Sequence, residues 1–238
     1  MNRIIQNYIE KNGFEQLSPT TVLFDMDGVL YNSMPHHAIA WCECMKDAGL
    51  KMSKTDAYRY EGMRGVETIQ LIARQQWNRS ISEEKATEIY KKKCELYNSF
   101  PMAQQIDGVY ELQEHIVHRG WNIGVVTGSG QTKLINRILE DFHGLVNPNI
   151  IVSAKDVSHG KPAPDPYIKG MQKANSEPWQ TIVVENAPLG VRAAVAAKCF
   201  TIAVNTGPLP YQSLQEEGAD LIVSSMSEAK KWIEETFS

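Results

Sequence analysis

The stretch "TTVLFDMDGVLYNS", residues 20–33, decides how the rest of the chain is read. Its first half is short, apolar and β-branched, and it runs into a loop containing Gly28, which is the pattern of a buried strand. At the end of that strand stand Asp25 and Asp27, two carboxylates two positions apart that repel each other unless a cation neutralises them. A buried strand that delivers such a pair into a loop places chemistry at the carboxyl end of a sheet.

Outward from this stretch the pattern changes twice. From Pro35 to about Phe100 it is helical throughout, with Ser53 and Ser82 standing where helix caps belong. After Pro101 helices alternate with the strand-like runs "NIGVVT" (122–127), "IIVSA" (150–154), "TIVVE" (181–185), "FTIAVN" (200–205) and "DLIVS" (220–224). The helices are expected near 109–118, near 131–141, after Pro164, over "LGVRAAVAAK" and from Met226 to the end. Such alternation predicts an α/β fold, a Rossmann-like doubly wound parallel sheet with helices on both faces. The helical block interrupts the alternation once, so it is expected to be an inserted α-helical cap. The expected boundaries are a helical extension over 1–17 ending near Gly13, a core over 18–33 and 102–238, and a cap over 34–101.

Bulk properties narrow the function classes. With 238 residues, 42% hydrophobic and 22% charged, the chain can bury a sizeable core and has the composition of a soluble globular protein. A net charge of -4 argues against nucleic acid or an anionic membrane as a partner. No apolar run reaches transmembrane length, and Glu10, Lys11 and Glu15 interrupt the start where a secretory signal needs apolar residues, so a cytoplasmic location is expected. Cys42, Cys44, Cys94 and Cys199 are expected to be reduced packing or surface thiols.

In an open α/β sheet, ligands bind outside the carboxyl ends of the strands. Four expected strand ends carry unusual polar residues: Asp25 and Asp27, then Thr127 with Gly128 and Ser129, then Lys161, then Glu185 and Asn186. Carboxylates gathered in one pocket call for a hard cation, and an oxygen-rich site of this size suits Mg²⁺. Thr127, Lys161 and the backbone N–H groups of a glycine-containing turn are anion ligands. Cation site and anion cradle together suit phosphoryl transfer. Asp25 is then read as nucleophile, forming an aspartyl phosphate, and Asp27 as general acid and base.

The motifs "DMDGVL", "VVTGSG", "GKPAPDPY" and "VVENAPLGVRAA", in that order, resemble the four motifs of the haloacid dehalogenase superfamily, in the branch similar to β-phosphoglucomutase with a helical cap after the first motif. The resemblance runs from Thr20 almost to the end. It implies the same roles for Asp25 and Asp27, adds the backbone carbonyl of Asp27 to the Mg²⁺ ligands, and makes Thr127 and Lys161 phosphate ligands and Glu185 with Asn186 the rest of the metal site. Family members commonly carry Asp where this chain has Asn186, and an amide holds Mg²⁺ less strongly.

The cap stretch "YRYEGMRG" offers a replacement in Glu61 and a second phosphate ligand in Arg64. With "VVENAPLG" and "IAVNTGPL", Glu61 makes the chain resemble the members of the branch similar to inorganic pyrophosphatases. That resemblance implies that Glu61 reaches the metal and crowds the leaving-group side, admitting a small group such as phosphate. The alternative is the mutase or a sugar-phosphate phosphatase. A mutase needs a lysine in the last cap helix for the distal phosphate. The matching position falls near Asn98, while Lys91 to Lys93 read as a solvated helix face, so the clamp is expected to be absent. His37 matches a histidine that mutases keep near the acid/base Asp27. A non-catalytic sensor would have lost the nucleophile or phosphate ligands, and all are present. The expectation is a Mg²⁺-dependent phosphohydrolase, monomer or weak homodimer, acting on pyrophosphate or a sugar phosphate.

Overall fold

A computed structural model of the chain describes residues 2–237; Met1 and Ser238, the outer ends of the expected extension and core, lie outside the described residues. Six parallel strands form one sheet in the order β3-β2-β1-β4-β5-β6. The first, β1 (Thr21–Phe24), is buried at all four positions and lies between β2 (Asn122–Val126) and β4 (Thr181–Glu185). The order reverses between β1 and β4, which is where an open sheet leaves a crevice for ligands. Phe24 pairs with Val125 on one side and Val184 on the other, so the next residue, Asp25, emerges level with Val126 and Glu185. Two residues that the sequence separates by 160 positions are thereby set side by side by register alone.

β5 (Phe200–Val204) and β6 (Leu221–Val223) extend the sheet on the far side, and β3 (Ile151–Val152) closes the near edge. The expected strand over 150–154 is shortened to these two residues. Asp156 takes the Ser153 N–H and hydroxyl, each at 2.8 Å, and turns the chain out of the ladder. On the amino side Ile150 ends a 3₁₀ turn.

The N-terminal helix α1 (Arg3–Asn12) ends where expected, at a left-handed Gly13. It docks through Tyr8, whose buried ring meets Phe200 edge-on and whose hydroxyl lies 2.8 Å from the Lys198 carbonyl and 3.1 Å from that of Pro178. Four helices then follow β1: α2 (Met34–Asp47), α3 (Lys54–Arg59), α4 (Gly65–Trp77) and α5 (Glu83–Ser99). They have an apolar cluster of their own, including Ala38, Met45, Leu50, Ile69 and Ile72. Ser53 and Ser82 cap α3 and α5 as expected, Ser53 in a reciprocal capping box with Asp56. Two extended segments join this block to the sheet side by side, Asn32 donating to Gln104 and Ile106 to Leu30. These crossings lie near the expected boundaries at 33/34 and 101/102.

The remaining core helices are α6 (Val109–His118), α7 (Thr132–Asp141), α8 (Asp165–Ala174), α9 (Pro188–Ala196), α10 (Tyr211–Gln215) and α11 (Met226–Thr236). All but the short α10 are legible in the sequence. Among the described residues no helix is long and apolar enough to cross a membrane.

Candidate active site

The carboxyl ends of β1, β2 and β4 and the loop after β3 converge as the sequence predicts. Lys161 is 1% exposed and its ammonium is ion-paired with Asp25, bonded to Glu185 Oε1 at 2.6 Å, and 3.3 Å from the Val126 carbonyl. Burial alone would lower its pKa, but the charges of Asp25 and Glu185 reverse that and hold it well above the usual lysine range. At Asp25 burial prevails. Burial, aided by the Glu185 and Asp27 charges and opposed by Lys161, pushes its carboxyl up to about 7.

Asp27 stands two residues on, partly open to the cavity. It accepts from the Ser33 hydroxyl at 2.6 Å and from His37 Nε2 at 3.1 Å. Burial raises its pKa, yet the positive charge of the His37–Lys93 pair, with the hydrogen bonds from His37 and Ser33, outweighs it and holds the carboxyl down to about 2. His37 Nδ1 lies 2.6 Å from the Lys93 ammonium. An ammonium can only donate, so Nδ1 accepts and Nε2–H points at Asp27. Burial and the Lys93 charge both lower the His37 pKa, in keeping with a neutral ring. The ring is stacked on Tyr97 at 3.9 Å, which fixes its plane.

Lys93 corrects the reading of the lysine run. Lys91 and Lys92 are exposed, but Lys93 is 4% exposed, its ammonium over the faces of Trp41, Tyr90 and Tyr97 at 5.2, 5.9 and 5.2 Å. The signal was present in the spacing: Ala86, Ile89, Tyr90, Lys93 and Tyr97 fall on one face of α5. The expected absence of a cationic cap residue from the pocket is therefore overturned. Asn98, where that residue was sought, bonds instead to Gln131 across the mouth at 3.2 Å.

Arg64 also differs from expectation. It donates to the Ser158 carbonyl at 2.8 Å and pairs with Glu67 at 3.4 Å, on the seam between cap and core, where it lines the small void shared with Thr127 and Lys161 and not the main cavity. Its stem lies against Gly160, where an added Cβ would come within 2.6 Å of it. The turn before it covers the site. Gly62 has φ of 83°, its own Cβ would meet Lys161 Cδ at 2.8 Å, and its carbonyl oxygen lies 2.8 Å from where a Gly128 Cβ would stand.

This backbone-level approach divides the expected phosphate ligands. Ser129 lines the main cavity with Asp25, Asp27, Glu61 and Lys93, Thr127 and Lys161 line a small void beneath Gly62, and Gly128 borders both. The main cavity has a volume of about 60 Å³.

Glu61 is carried into the main cavity. Burial, together with the charges of Asp25, Asp27 and Glu185, raises its pKa well above the carboxylate range, with Lys161 opposing. Its Oε1 and the Oδ1 of Asn186 are buried without a hydrogen-bond partner. Asn186 is pressed against Gly28, whose φ is 83° and whose missing Cβ would collide with the amide. With Asp25, these orphaned oxygens are a donor set that a hard cation fits. Glu185 is not among them, in contrast to the expected metal site. Its Oε1 accepts from Lys161 and from the Tyr167 hydroxyl at 2.5 Å, and its Oε2 from the N–H groups of Asn186 and Ala187 at 3.0 and 3.3 Å. Among the described residues no three acidic, His or Cys side chains form a ready-made cage.

Comparison with known proteins identifies the family and agrees with the fold. A model of the haloacid dehalogenase-like hydrolase family matches residues 22–204. A solved structure from Bacteroides vulgatus, provisionally assigned as a β-phosphoglucomutase, superposes with a TM-score of 0.94 at 42% identity, over 98% of this chain and 94% of that one. Hexitol phosphatase A of Escherichia coli K12 is 29% identical over 87% of this chain and 91% of its own length. A provisionally assigned pyrophosphatase of Caldanaerobacter subterraneus is 25% identical over 90% of this chain and 94% of its own.

Proposed function

The chain belongs to the haloacid dehalogenase-like hydrolases, and on that premise we propose that it is a Mg²⁺-dependent phosphohydrolase whose substrate is inorganic pyrophosphate. The observation that carries this reading is Glu61, a buried cap carboxylate that lines the cavity with Asp25 and Asp27 and takes up room that a large leaving group would need. Mg²⁺ would be held by Asp25, the Asp27 carbonyl, Asn186 and Glu61, and would neutralise charge on the transferring group.

Asp25 attacks phosphorus, and the bond to the bridging oxygen breaks with its electron pair leaving on phosphate. Water then attacks the aspartyl phosphate as Asp27 takes its proton, and the Asp25 carboxylate is released. Lys161 stays paired with the nucleophile through both steps. Asp27, held down to about 2, is ionised at neutral pH and suited to the base role of the second step. That favours a leaving group needing no proton, which phosphate is and a sugar alkoxide is not.

A second reading, a sugar-phosphate phosphatase or mutase, is favoured by Lys93, a buried cation at the cavity with no carboxylate bonded to it. Phosphate release with Mg²⁺ from pyrophosphate and from hexose, pentose and triose phosphates separates the two, with β-glucose 1-phosphate also followed for conversion to glucose 6-phosphate. Pyrophosphate should lead by orders of magnitude, and Glu61→Ala should narrow that lead by admitting larger esters. Sugar phosphates leading in the unaltered protein would sink the pyrophosphate reading.

A further inference from the structure

Tyr167 ends the motif that presents Lys161 and takes no part in the chemistry described so far. It sits in the first turns of α8, fully buried, under the Lys161 loop. Its hydroxyl donates to Glu185 Oε1 at 2.5 Å, the same oxygen that accepts from Lys161 at 2.6 Å, and its ring centre is 5.1 Å from the Lys161 ammonium. The other Glu185 oxygen is taken by two backbone N–H groups. Gly190 makes room for the carboxylate, since a Cβ there would collide with it. Glu185 is thus pinned from every side, and Tyr167 is its one neutral side-chain donor.

We propose that Tyr167 is a positioning residue for phosphoryl transfer, its O–H fixing Glu185 so that Lys161 is shared with Asp25 instead of being drawn wholly onto Glu185. The inference rests on the reading of Asp25 as nucleophile and goes beyond it. Lys161 stands between two carboxylates that compete for one ammonium. A carboxylate oxygen that already accepts a strong hydrogen bond pulls less on a second donor, and one that is pinned cannot swing to follow it. Without the phenol, Glu185 would hold Lys161 more tightly and turn more freely, and the nucleophile would lose part of its cation. Burial and the charges of Glu185 and Asp25 keep the phenol protonated far beyond its usual range, so the donor is permanent.

Tyr167→Phe removes the donor and keeps the ring. Relative to the unaltered protein, its kcat for phosphate release should fall about tenfold or more, as expected for one hydrogen bond to a charged group. KM should stay within about twofold, because the bond shapes the transition state and not the substrate pocket. A merely structural role would lower the unfolding midpoint and leave kcat per folded molecule unchanged. In a Glu185→Gln background the further loss from Tyr167→Phe should vanish, since no carboxylate remains to be held.

A Tyr167→Phe kcat within about twofold of the unaltered enzyme, or a full loss that persists with Gln at 185, overturns the proposal. An unaltered protein inactive on pyrophosphate and every ester of the panel overturns the functional reading and this proposal with it, so the two failures are told apart. Should Tyr167→Phe not fold, proton NMR of the unaltered protein decides. A slowly exchanging, far-downfield phenol proton near the Lys161 side chain supports the proposal, and a phenol exchanging freely with water overturns it.

Discussion

The core and the cap each bury one lysine, and they do so by opposite means. Lys161 is 1% exposed and bracketed by two carboxylates, which overcome its burial and raise its pKa. Lys93 is 4% exposed, touches a neutral histidine and three aromatic faces, and has its pKa lowered by burial, which the charges of Cys94, Asp27 and Cys44 only partly oppose. A buried ion persists in a folded protein when its charge is answered. Lys161 is answered within the free protein. Lys93 is answered only in part, by ring faces and a relay toward Asp27, and an anionic ligand would complete it. The core is therefore organised in the free protein, whereas the cap keeps a cation whose partners are a histidine and three ring faces.

The contrast predicts its largest effect at Lys161. Lys161→Met should abolish measurable turnover and also cost about 3–5 kcal/mol of stability, because Asp25 and Glu185 are left as unpaired buried carboxylates. Chemical denaturation followed alongside phosphate release would check both. A variant as stable as the original would mean that Asp25 and Glu185 do not depend on the ammonium.

Lys93→Met tests the other half. Methionine keeps the stem between Trp41 and Tyr97 and removes an ion without a carboxylate partner, so stability should change by less than about 1 kcal/mol. Activity should nevertheless fall, with kcat/KM down roughly 10- to 100-fold for the loss of one charged hydrogen bond. Equal stability losses in the two variants would erase the distinction between core and cap.

That distinction also marks what the sequence makes legible. The alternation of strands and helices, the Gly13 stop and the Ser53 and Ser82 caps are local signals, and the structure follows them. The convergence of Asp25, Lys161 and Glu185 follows from strand ends in a parallel sheet, which periodicity exposes. Arg64 and Lys93 lie in the cap, where the outcome depends on how one helical layer is rotated over another. Arg64 stands one residue before α4, and nothing local tells whether its guanidinium enters the cavity or crosses to Ser158. Lys93 was masked by Lys91 and Lys92, although its spacing from Ala86 and Ile89 was that of a buried face. The full engagement of Glu185 could not be foreseen, because Tyr167 meets it only through the packing of α8 on the sheet.

The smallest expected effect carries the same contrast over to the carboxylates. Asp27 is depressed to about 2, so it contributes stability at neutral pH that is lost only in strong acid, as pH falls through that value. Asp25 is raised to about 7 and Glu61 is raised too, both by burial among other carboxylates. For these two the folded protein binds protons that the unfolded chain releases near pH ~4, so stability should fall as pH rises from there toward 7. A cation on the same oxygens would displace those protons and reverse the trend. With EDTA the unfolding midpoint should therefore decline across that window. With Mg²⁺ at about ten times its dissociation constant it should rise by a few degrees at pH 8 and hardly at all at pH 5, since ligand linkage at that ratio is worth about 1.4 kcal/mol. A Mg²⁺ effect equal at both values would separate the ion from Asp25 and Glu61, and the oxygens orphaned at Glu61 and Asn186 would then need another partner.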